Sequence, residues 1–375
     1  MTPAAHGVVR VVADLFDDLT IGAVSAPNRV LMAPLTRMRA PAPEHLPNDL
    51  MREYYAQRAS AGLVISEGTQ ISPEGQGYAD TPGIHSDAQV AAWRGITDAV
   101  HDAGGRIAAQ LWHTGRVNHP SLHDGEPSVS ASALPSGGRT SVTGPDGRLV
   151  RADSPAPRAL RTDEMPRVVD DYRRATANAR DAGFDLAEIH AAHGYLLHQF
   201  LSPSSNHRED GYGGSPAARA RLLAEVVDAA VAEWSAERIG VRISPIGSFN
   251  GVEDPAGEAT GLLVAELLAE RGVAFLHLSE PDWVGGDALT DGFRERLREA
   301  FPGPIVAAGS YDLAKAERVM EHGWVDAVAF GRAFIANPDL PRRLRDGLPL
   351  NQPDKSTFYG GDEAGYVDYP EYGAA

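Results

Sequence analysis

The sequence predicts a (β/α)₈ barrel, an α/β fold of the TIM-barrel class. Eight short and nearly continuously apolar runs, each bounded by turn residues, recur at roughly regular intervals along the 375 residues. Continuous apolarity is typical of parallel strands that are covered on both faces. Eight alternating strand and helix units indicate one barrel domain spanning residues 1–375. The predicted strands are residues 29–35, 62–69, 106–113, 186–191, 238–244, 273–280, 304–310 and 327–332.

Amphipathic stretches of helical length follow the second to the seventh of these strands. The spacing of their apolar residues predicts helices. Ser86 and Thr162 each stand immediately before an acidic residue at the start of such a stretch, so both are predicted as N-caps. The predicted helices are residues 87–103, 163–182, 217–234, 256–271, 289–300 and 313–323.

Two segments fall outside the minimal barrel. Residues 15–28 contain a hairpin pattern, Thr20-Ile-Gly-Ala-Val, which we expect to plug the N-terminal end of the barrel. Residues 118–158 are rich in Gly, Pro and Ser and contain a second hairpin pattern around Gly144-Pro-Asp-Gly147. A loop of this length is usually either a lid or disordered. Because it leaves the C-terminal end of the third strand, where barrel enzymes keep their active sites, we predict a lid.

The composition excludes several classes of protein. A hydrophobic fraction of 43% with 23% charged residues is typical of a globular protein with a substantial core. The net charge of −17 argues against general binding of nucleic acid or anionic membranes, since both require a basic surface. The absence of cysteine excludes disulfides, iron–sulfur clusters and thiolate metal sites. No apolar run has the pattern of a signal peptide or the length of a membrane span, so a cytoplasmic location is expected.

The most informative residues follow the fourth predicted strand. His190, His193 and Tyr195 lie where that strand ends, at the predicted C-terminal mouth of the barrel. Two neutral imidazoles can hold one oxygen atom of a substrate, and a neighbouring phenol can deliver a proton. The residues alone leave two alternatives, an ordinary packed histidine with a core tyrosine, or metal ligation with a third ligand from elsewhere.

The ends of the seventh and eighth strands predict a phosphate-binding site. Gly309 and the pair Gly331-Arg332 occupy the positions at which barrels recurrently bind phosphate through backbone N–H groups. An arginine there adds a bidentate, charged hydrogen-bond donor.

Other strand ends also carry hydrogen-bond donors and few carboxylates. Thr36, Gln110 and Arg242 would line the route from the phosphate site towards His190. Such a donor set favours an uncharged or anionic ligand over a hard cation, so no metal site is expected. The alternative role for Arg242 is a salt bridge with a carboxylate at the mouth, such as Glu67.

Five motifs in register resemble the Old Yellow Enzyme family of flavoprotein ene-reductases, near the bacterial N-ethylmaleimide and pentaerythritol tetranitrate reductases. The similarity extends in order from about residue 15 to residue 369 and includes the tail Thr357-Phe-Tyr-Gly-Gly. The motifs are Met32-Ala-Pro-Leu-Thr-Arg, Gly75-Gln-Gly-Tyr, Gln110-Leu-Trp-His-Thr-Gly-Arg, Glu188-Ile-His-Ala-Ala-His-Gly-Tyr-Leu and Asp210-Gly-Tyr-Gly-Gly-Ser.

This resemblance implies bound FMN and a set of residues that hold it. Pro34 and Leu35 would supply backbone contacts, and Thr36 would bond the region of the flavin C4 oxygen. The pyrimidine edge of the ring and the phosphate would be held by a larger group, namely Gly68, Gln110 and Arg242 at the ring and Gly309, Gly331 and Arg332 at the phosphate.

The resemblance also implies a reaction. NADPH or NADH would reduce the flavin, and flavin N5 would then pass hydride to the activated C=C bond of an α,β-unsaturated carbonyl or nitro compound. His190 and His193 would bind the substrate oxygen, Tyr195 would donate the proton, and Trp112 and Tyr359 would shape the cavity. Reduction of nitro groups or nitrate esters is a further expected activity. The protein is expected to act on small molecules as a monomer or homodimer, with no nucleic acid or membrane partner.

Two rival hypotheses concern the same residues. A metal-dependent barrel hydrolase would use His190 and His193 as ligands and would need carboxylates at neighbouring strand ends. A flavin-storage or flavin-sensing protein would keep the phosphate site without the reaction.

Overall fold

The computed structural model of the chain describes residues 14–374. Eight of its strands form a closed barrel in the order β3-β4-β5-β10-β11-β12-β13-β14, and all neighbouring pairs are parallel. The strands are β1 (Leu19–Ile21), β2 (Val24–Ala26), β3 (Val30–Met32), β4 (Val64–Gln70), β5 (Ile107–Trp112), β6 (Val129–Ser130), β7 (Arg139–Thr143), β8 (Leu149–Asp153), β9 (Arg158–Ala159), β10 (Leu186–Ala191), β11 (Ile239–Ile243), β12 (Phe275–Ser279), β13 (Ile305–Ala308) and β14 (Ala327–Phe330).

Helices alternate with the barrel strands, as the apolar periodicity predicts. The (β/α)₈ prediction is therefore confirmed, and each predicted strand overlaps one strand of the barrel. The helices are α1 (Asp49–Ala56), α2 (Asp87–Asp102), α3 (Met165–Asp181), α4 (Leu196–Leu201), α5 (Pro216–Glu233), α6 (Gly257–Glu270), α7 (Asp291–Ala300), α8 (Leu313–Glu321), α9 (Arg332–Ala336) and α10 (Leu340–Arg345).

The two predicted N-caps have different outcomes. Ser86 caps α2, where its hydroxyl accepts the N–H of Gln89 in a capping box. The prediction for Thr162 is wrong, because a 3₁₀ turn over Thr162–Glu164 precedes α3. The Thr162 hydroxyl instead donates to the carboxylate of Asp210 at 2.5 Å, a contact 48 residues away that local pattern cannot indicate.

The β1–β2 hairpin lies at the N-terminal end of the barrel. The side chains of Ile21 and Val24 are buried in the same apolar cluster as the interior-facing residues of the barrel strands. At the turn, Ala23 N–H donates to the carbonyl of Glu237, just before β11, at 3.0 Å. Gly22 is required in this turn, because its φ is +56° and a Cβ atom would lie 2.1 Å from the same carbonyl oxygen.

The long segment after β5 is structured and folds back towards the barrel mouth. Its largest feature is the antiparallel β7–β8 hairpin, which turns at residues 144–147. The Ser141 carbonyl accepts the N–H of Ala79 at 2.9 Å, and the Thr140 hydroxyl donates to the Gly77 carbonyl. These bonds connect the hairpin to the loop that follows β4. That the segment acts as a moving lid stays a prediction.

The packing places apolar and polar residues at opposite ends of the barrel interior. Leu31, Ile65 and Phe275 fill the interior next to the hairpin, while the outer faces of the strands pack against the helices. The polar residues of the barrel strands therefore lie at the C-terminal end of the barrel interior, where a ligand can reach them. None of the helices within residues 14–374 is both long and apolar enough to cross a membrane.

Candidate active site

The C-terminal ends of the barrel strands surround a cavity of about 990 Å³. Nearly all the site residues predicted from the sequence line it, although they come from six strand ends and the C-terminal tail. Those in the cavity wall are Pro34, Leu35, Thr36, Gln110, Trp112, His190, His193, Tyr195, Arg242, Gly309, Gly331, Arg332 and Tyr359.

Gly68 is the one predicted site residue that is not part of the cavity wall. It lies in β4 against the indole of Trp112, and a Cβ atom at this position would be 2.5 Å from Trp112 Cδ2. The glycine therefore makes room for the indole, which itself lines the cavity. A contact between Gly68 and a bound ligand stays a prediction.

The two histidines stand side by side, with ring centroids 5.2 Å apart. His190 is in β10, and its Nδ1 accepts the N–H of Ala192 at 3.2 Å. Burial, followed by the charge of Arg242, holds the pKa of His190 well below its usual value. The ring is therefore neutral, and its one proton is on Nε2. His190 consequently offers an Nε2–H donor.

His193 is held by three hydrogen bonds just beyond β10. Its backbone N–H donates to Ser244 Oγ at 2.8 Å, its carbonyl accepts from Asn250 Nδ2 at 2.9 Å, and its ring Nε2 lies 2.8 Å from Ser279 Oγ. Its φ of +56° is uncommon for a residue other than glycine. Burial, then Arg242, keeps the pKa of His193 well below its usual value, so this ring is also neutral. The positive φ of His193 is a strained backbone conformation, and strain of this kind is typical of functional sites.

The phenol of Tyr195 completes this part of the wall. Its ring packs edge-on against Trp112 and His190, each at a centroid distance of 5.0 Å. Its hydroxyl lies 3.1 Å from the hydroxyl of Tyr78. Burial raises the pKa of Tyr195 well above its usual value, and the neighbouring Tyr78 adds to this effect. The phenol thus keeps its proton throughout the physiological pH range.

A buried polar layer lies under the histidines. The Glu188 carboxylate accepts from Gln110 Nε2 at 2.7 Å and is 2.6 Å from His277 Nδ1. Arg242 is placed beside His190 on one side and His277 on the other by the registers of β10, β11 and β12. Arg242 is buried, and the unlike charge of Glu188 opposes the fall in its pKa that burial causes.

The alternative role for Arg242, a salt bridge with Glu67, is not found among residues 14–374. The Glu67 carboxylate instead accepts the backbone N–H groups of Arg37 and Met38 at 3.2 and 3.3 Å, and the Tyr55 hydroxyl at 3.3 Å. Burial raises the pKa of Glu67 to about 7 despite these bonds. The Glu67 side chain therefore holds the loop after β3.

The predicted phosphate site lies at the other end of the cavity. Gly309 and Gly331 contribute backbone to its wall, and the exposed Arg332 donates from Nη2 to the Trp283 carbonyl at 3.3 Å. Beside them, Asp282 accepts the N–H of Ser310 at 2.9 Å. This carboxylate is neutralised by Lys315 Nζ at 2.6 Å. The end of the cavity thus combines an exposed cation, Arg332, with the backbone of Gly309 and Gly331.

The donor set fits a flat, anionic, phosphate-bearing cofactor. Two buried donors of cavity-lining residues, Arg242 Nε and Trp112 Nε1, have no hydrogen-bonding partner in the described part of the chain. Buried donors without partners are rare in folded proteins, so a bound group that accepts from Arg242 would relieve a real cost. The site and fold together define a cofactor-binding (β/α)₈ barrel with a phosphate-binding end and a substrate-binding end.

The metal alternative gains no support from the structure. Within residues 14–374, no group of three His, Cys, Asp or Glu side chains is arranged to hold a metal ion. His190 and His193 therefore lack the third ligand that a hydrolytic metal site requires.

Three comparisons relate this site to known proteins. Residues 14–351 match the model of the NADH:flavin oxidoreductase / NADH oxidase family. 12-Oxophytodienoate reductase 1 of Oryza sativa subsp. japonica is 43% identical over 363 residues, which covers 93% of this chain and 91% of the relative. The flavin oxidoreductase hxnT of Emericella nidulans is 40% identical over 383 residues, with coverage of 95% and 97%.

Solved structures agree with these relatives. Morphinone reductase superimposes with a TM-score of 0.93 at 50% identity, covering 95% of this chain and 96% of that one. The Old Yellow Enzyme homologue from Zymomonas mobilis has a TM-score of 0.91 at 44% identity, with coverage of 96% and 99%. This chain belongs to the NADH:flavin oxidoreductase / NADH oxidase family. It is an Old Yellow Enzyme type oxidoreductase that uses FMN and a nicotinamide hydride donor, so the sequence-based prediction of family and cofactors is confirmed.

Several residues of this site were not predicted from the sequence. Tyr78 was part of a quoted motif, but only the fold places it against Tyr195. Glu188 could have been noticed, because it is two residues from His190 in one strand and so faces the same side. Arg151 comes from the β8 strand of the predicted lid and reaches the cavity wall, which no local signal indicates.

Proposed function

We propose that this enzyme reduces the C=C bond of α,β-unsaturated carbonyl and nitro compounds. The observation that carries the proposal is one wall of the cavity, where two neutral histidines and a protonated phenol, those of His190, His193 and Tyr195, stand together. Such a group can bind the oxygen of an electron-withdrawing substituent and protonate the carbon next to it. Bound FMN supplies the hydride for the β-carbon, which it takes from NADPH or NADH.

The residues that hold FMN in this proposal divide between the two ends of the cavity. Thr36, Gln110 and Arg242 line the cavity and would bind the polar edge of the ring, where the charge of Arg242 would stabilise negative charge. Backbone groups of Pro34 and Leu35 contribute further contacts. The remaining members are Gly68 at the ring, and Gly309, Gly331 and Arg332 at the phosphate, where backbone N–H groups and the guanidinium act together.

The histidines polarise the substrate. As hydride reaches the β-carbon, negative charge develops on the carbonyl or nitro oxygen. His190 offers its Nε2–H to that oxygen, and His193 stands beside it with a neutral ring. Donors that are already in place stabilise this charge without reorganisation. Because burial keeps the pKa values of both rings low, neither histidine acts as the acid.

Tyr195 delivers the proton to the α-carbon. Its pKa is raised by burial, so the phenol is fully protonated at neutral pH and needs no further activation as a donor. The Tyr78 hydroxyl at 3.1 Å orients the Tyr195 hydroxyl. Trp112 and Tyr359 limit the shape of the substrate, the first from the buried wall and the second from the exposed rim.

A two-step spectroscopic experiment tests the proposal. The purified holoenzyme should lose its flavin absorbance when NADPH is added without oxygen, and the absorbance should return on addition of 2-cyclohexenone. Cyclohexanone should form, and deuterated NADPH should label its β-carbon. If NADPH bleaches the flavin absorbance but only oxygen restores it, and no cyclohexanone forms, the protein is not an ene-reductase. That result would favour a flavin-storage role.

Finer properties belong to the same proposal. We expect NADPH or NADH as the hydride donor, a monomeric or homodimeric state in the cytoplasm, and additional activity on nitro groups or nitrate esters. The net charge of −17 supports the expectation that no nucleic acid binds. Steady-state kinetics with both nicotinamides, sedimentation analysis and a nucleic-acid titration test these expectations in turn.

A further inference from the structure

Ser279 makes a contact with His193 that the proposed reaction does not yet use. It ends β12 and is almost fully buried, with 1% of its surface exposed. Its Oγ lies 2.8 Å from His193 Nε2. Within residues 14–374 this is the one hydrogen bond that the Ser279 hydroxyl makes. One proton therefore lies in the hydrogen bond between Oγ and Nε2, and either of the two atoms could be its donor.

The direction of the hydrogen bond between Ser279 and His193 can be inferred by asking, for each direction, which polar atom is left without a partner. If Nε2–H donated to Oγ, the serine O–H would be buried without an acceptor. If the serine O–H donates to Nε2, both atoms are satisfied. Leaving a buried donor unpaired shifts such an equilibrium by about ten- to a hundredfold. We therefore expect Ser279 to be the donor.

The tautomer of His193 follows from this direction. The ring is neutral, because burial, Arg242 and the neighbouring histidines keep its pKa low, so it carries one N–H group. When Nε2 accepts from Ser279, that N–H is on Nδ1. Nδ1 has no hydrogen-bonding partner in the described part of the chain, and the ring lines the cavity. A donor, rather than a lone pair, is then presented to a ligand.

We infer that Ser279 is a positioning residue that fixes the Nδ1–H tautomer of His193 and so makes it a second donor to the substrate oxygen. The part that concerns substrate rests on the proposed function. The neighbouring His190 has the opposite tautomer. Its Nδ1 accepts the N–H of Ala192, so the ring proton of His190 is on Nε2. Two different partners thus turn two identical side chains into a pair of donors.

The alternative arrangement explains why the tautomer matters. With the proton of His193 on Nε2, the lone pair of Nδ1 would face the oxygen of a carbonyl or nitro group, and the two would repel each other. One neutral hydrogen bond would be lost from the bound state. Because such a bond contributes about 0.5–1.5 kcal/mol, ligand affinity should fall by about 2- to 13-fold.

The tautomer can be read directly by ¹⁵N NMR of histidine-labelled holoenzyme, with the His193 signals assigned by a His193→Gln variant. In the wild type, His193 Nδ1 should be protonated and Nε2 unprotonated. Ser279→Ala removes the donor that keeps the proton on Nδ1, so the signals should move towards the mixture of tautomers that a free imidazole shows, and Ser279→Thr, which keeps the hydroxyl, should restore them. Ser205→Ala is the matched control, because the buried Ser205 hydroxyl donates to the Gln199 carbonyl at 2.8 Å, away from the cavity wall.

The affinity for a para-substituted phenol, titrated through its charge-transfer band with oxidised FMN, is the second readout. We expect about 2- to 13-fold weaker binding in Ser279→Ala and near wild-type binding in Ser279→Thr and Ser205→Ala. An Nε2–H tautomer in the wild type, or unchanged signals in Ser279→Ala, would overturn the inference. If the tautomer changes but phenol affinity does not, the tautomer assignment holds, and the proposed role of His193 in binding oxygen is what fails.

Discussion

Tyr195→Phe separates the proton-transfer step from the rest of the reaction. The substitution removes one oxygen atom and keeps the ring that packs against Trp112 and His190. Within residues 14–374, the one hydrogen bond lost is that to Tyr78 at 3.1 Å. A bond of this kind is worth about 0.5–1.5 kcal/mol, or 2- to 13-fold in rate. A positioned general acid contributes about 10²–10⁴-fold. The two effects therefore differ enough to be distinguished.

The matched control is Tyr78→Phe, which breaks the same hydrogen bond from the other side and leaves the Tyr195 phenol in place. If Tyr195 is the acid, reoxidation of the reduced enzyme by 2-cyclohexenone should slow by about 10²–10⁴-fold in Tyr195→Phe. It should slow by only about 2- to 13-fold in Tyr78→Phe. Nitroalkenes should be affected less at the hydride step, because a nitronate is stable enough to form before it is protonated.

Stopped-flow spectroscopy measures the two half-reactions separately. Flavin reduction by NADPH should stay near the wild-type rate in both variants, because no proton from Tyr195 is consumed in that step. Between about pH 6 and 9 the wild-type reoxidation rate should show no loss that is attributable to Tyr195, since burial raises its pKa well above 10. A Tyr195→Phe variant with slow flavin reduction but intact enone turnover would refute the proton-donor role and leave Tyr195 as a packing residue.

Three further predictions concern the phosphate site, the histidine pair and pH. Arg332→Ala should weaken FMN binding to the apo-protein by about 1.5–3 kcal/mol, and unchanged affinity would remove Arg332 from the phosphate site. Phenols should give a charge-transfer band with the wild type, and a His190→Ala, His193→Ala double variant with an equal band would contradict the oxygen site. Burial lowers the pKa of His198 to about 4, so the unfolded chain binds more protons and stability falls as pH drops from about 6.5 towards 4. His198→Asn keeps an acceptor for the Gly194 N–H. Denaturant unfolding at about pH 7.5 and pH 5 should show about 2 kcal/mol more acid-induced loss in the wild type, and equal losses would argue against this linkage.

The sequence alone determined the architecture and predicted most of the residues that line the cavity. Parallel barrel strands are covered on both faces, so each is a local apolar run that can be recognised without knowledge of its neighbours. The chemistry of a barrel lies at the C-terminal ends of those runs, and this rule placed His190, Arg242 and Arg332 in one cavity before any contact was known. The N-cap at Ser86 depends on equally local residues, and its prediction from the sequence is confirmed. The resemblance to the Old Yellow Enzyme family then predicted FMN as the cofactor.

Only the tertiary structure decided how these residues act. Barrel closure and strand register bring Glu188 to Gln110 and His277, which are 78 and 89 residues away along the chain. The tautomers of the two histidines depend on which donors reach each ring, and the proton of Tyr195 is retained because burial raises its pKa. Hydrogen bonds and desolvation are properties of distances in space rather than of neighbours in sequence, so no local pattern could have indicated them.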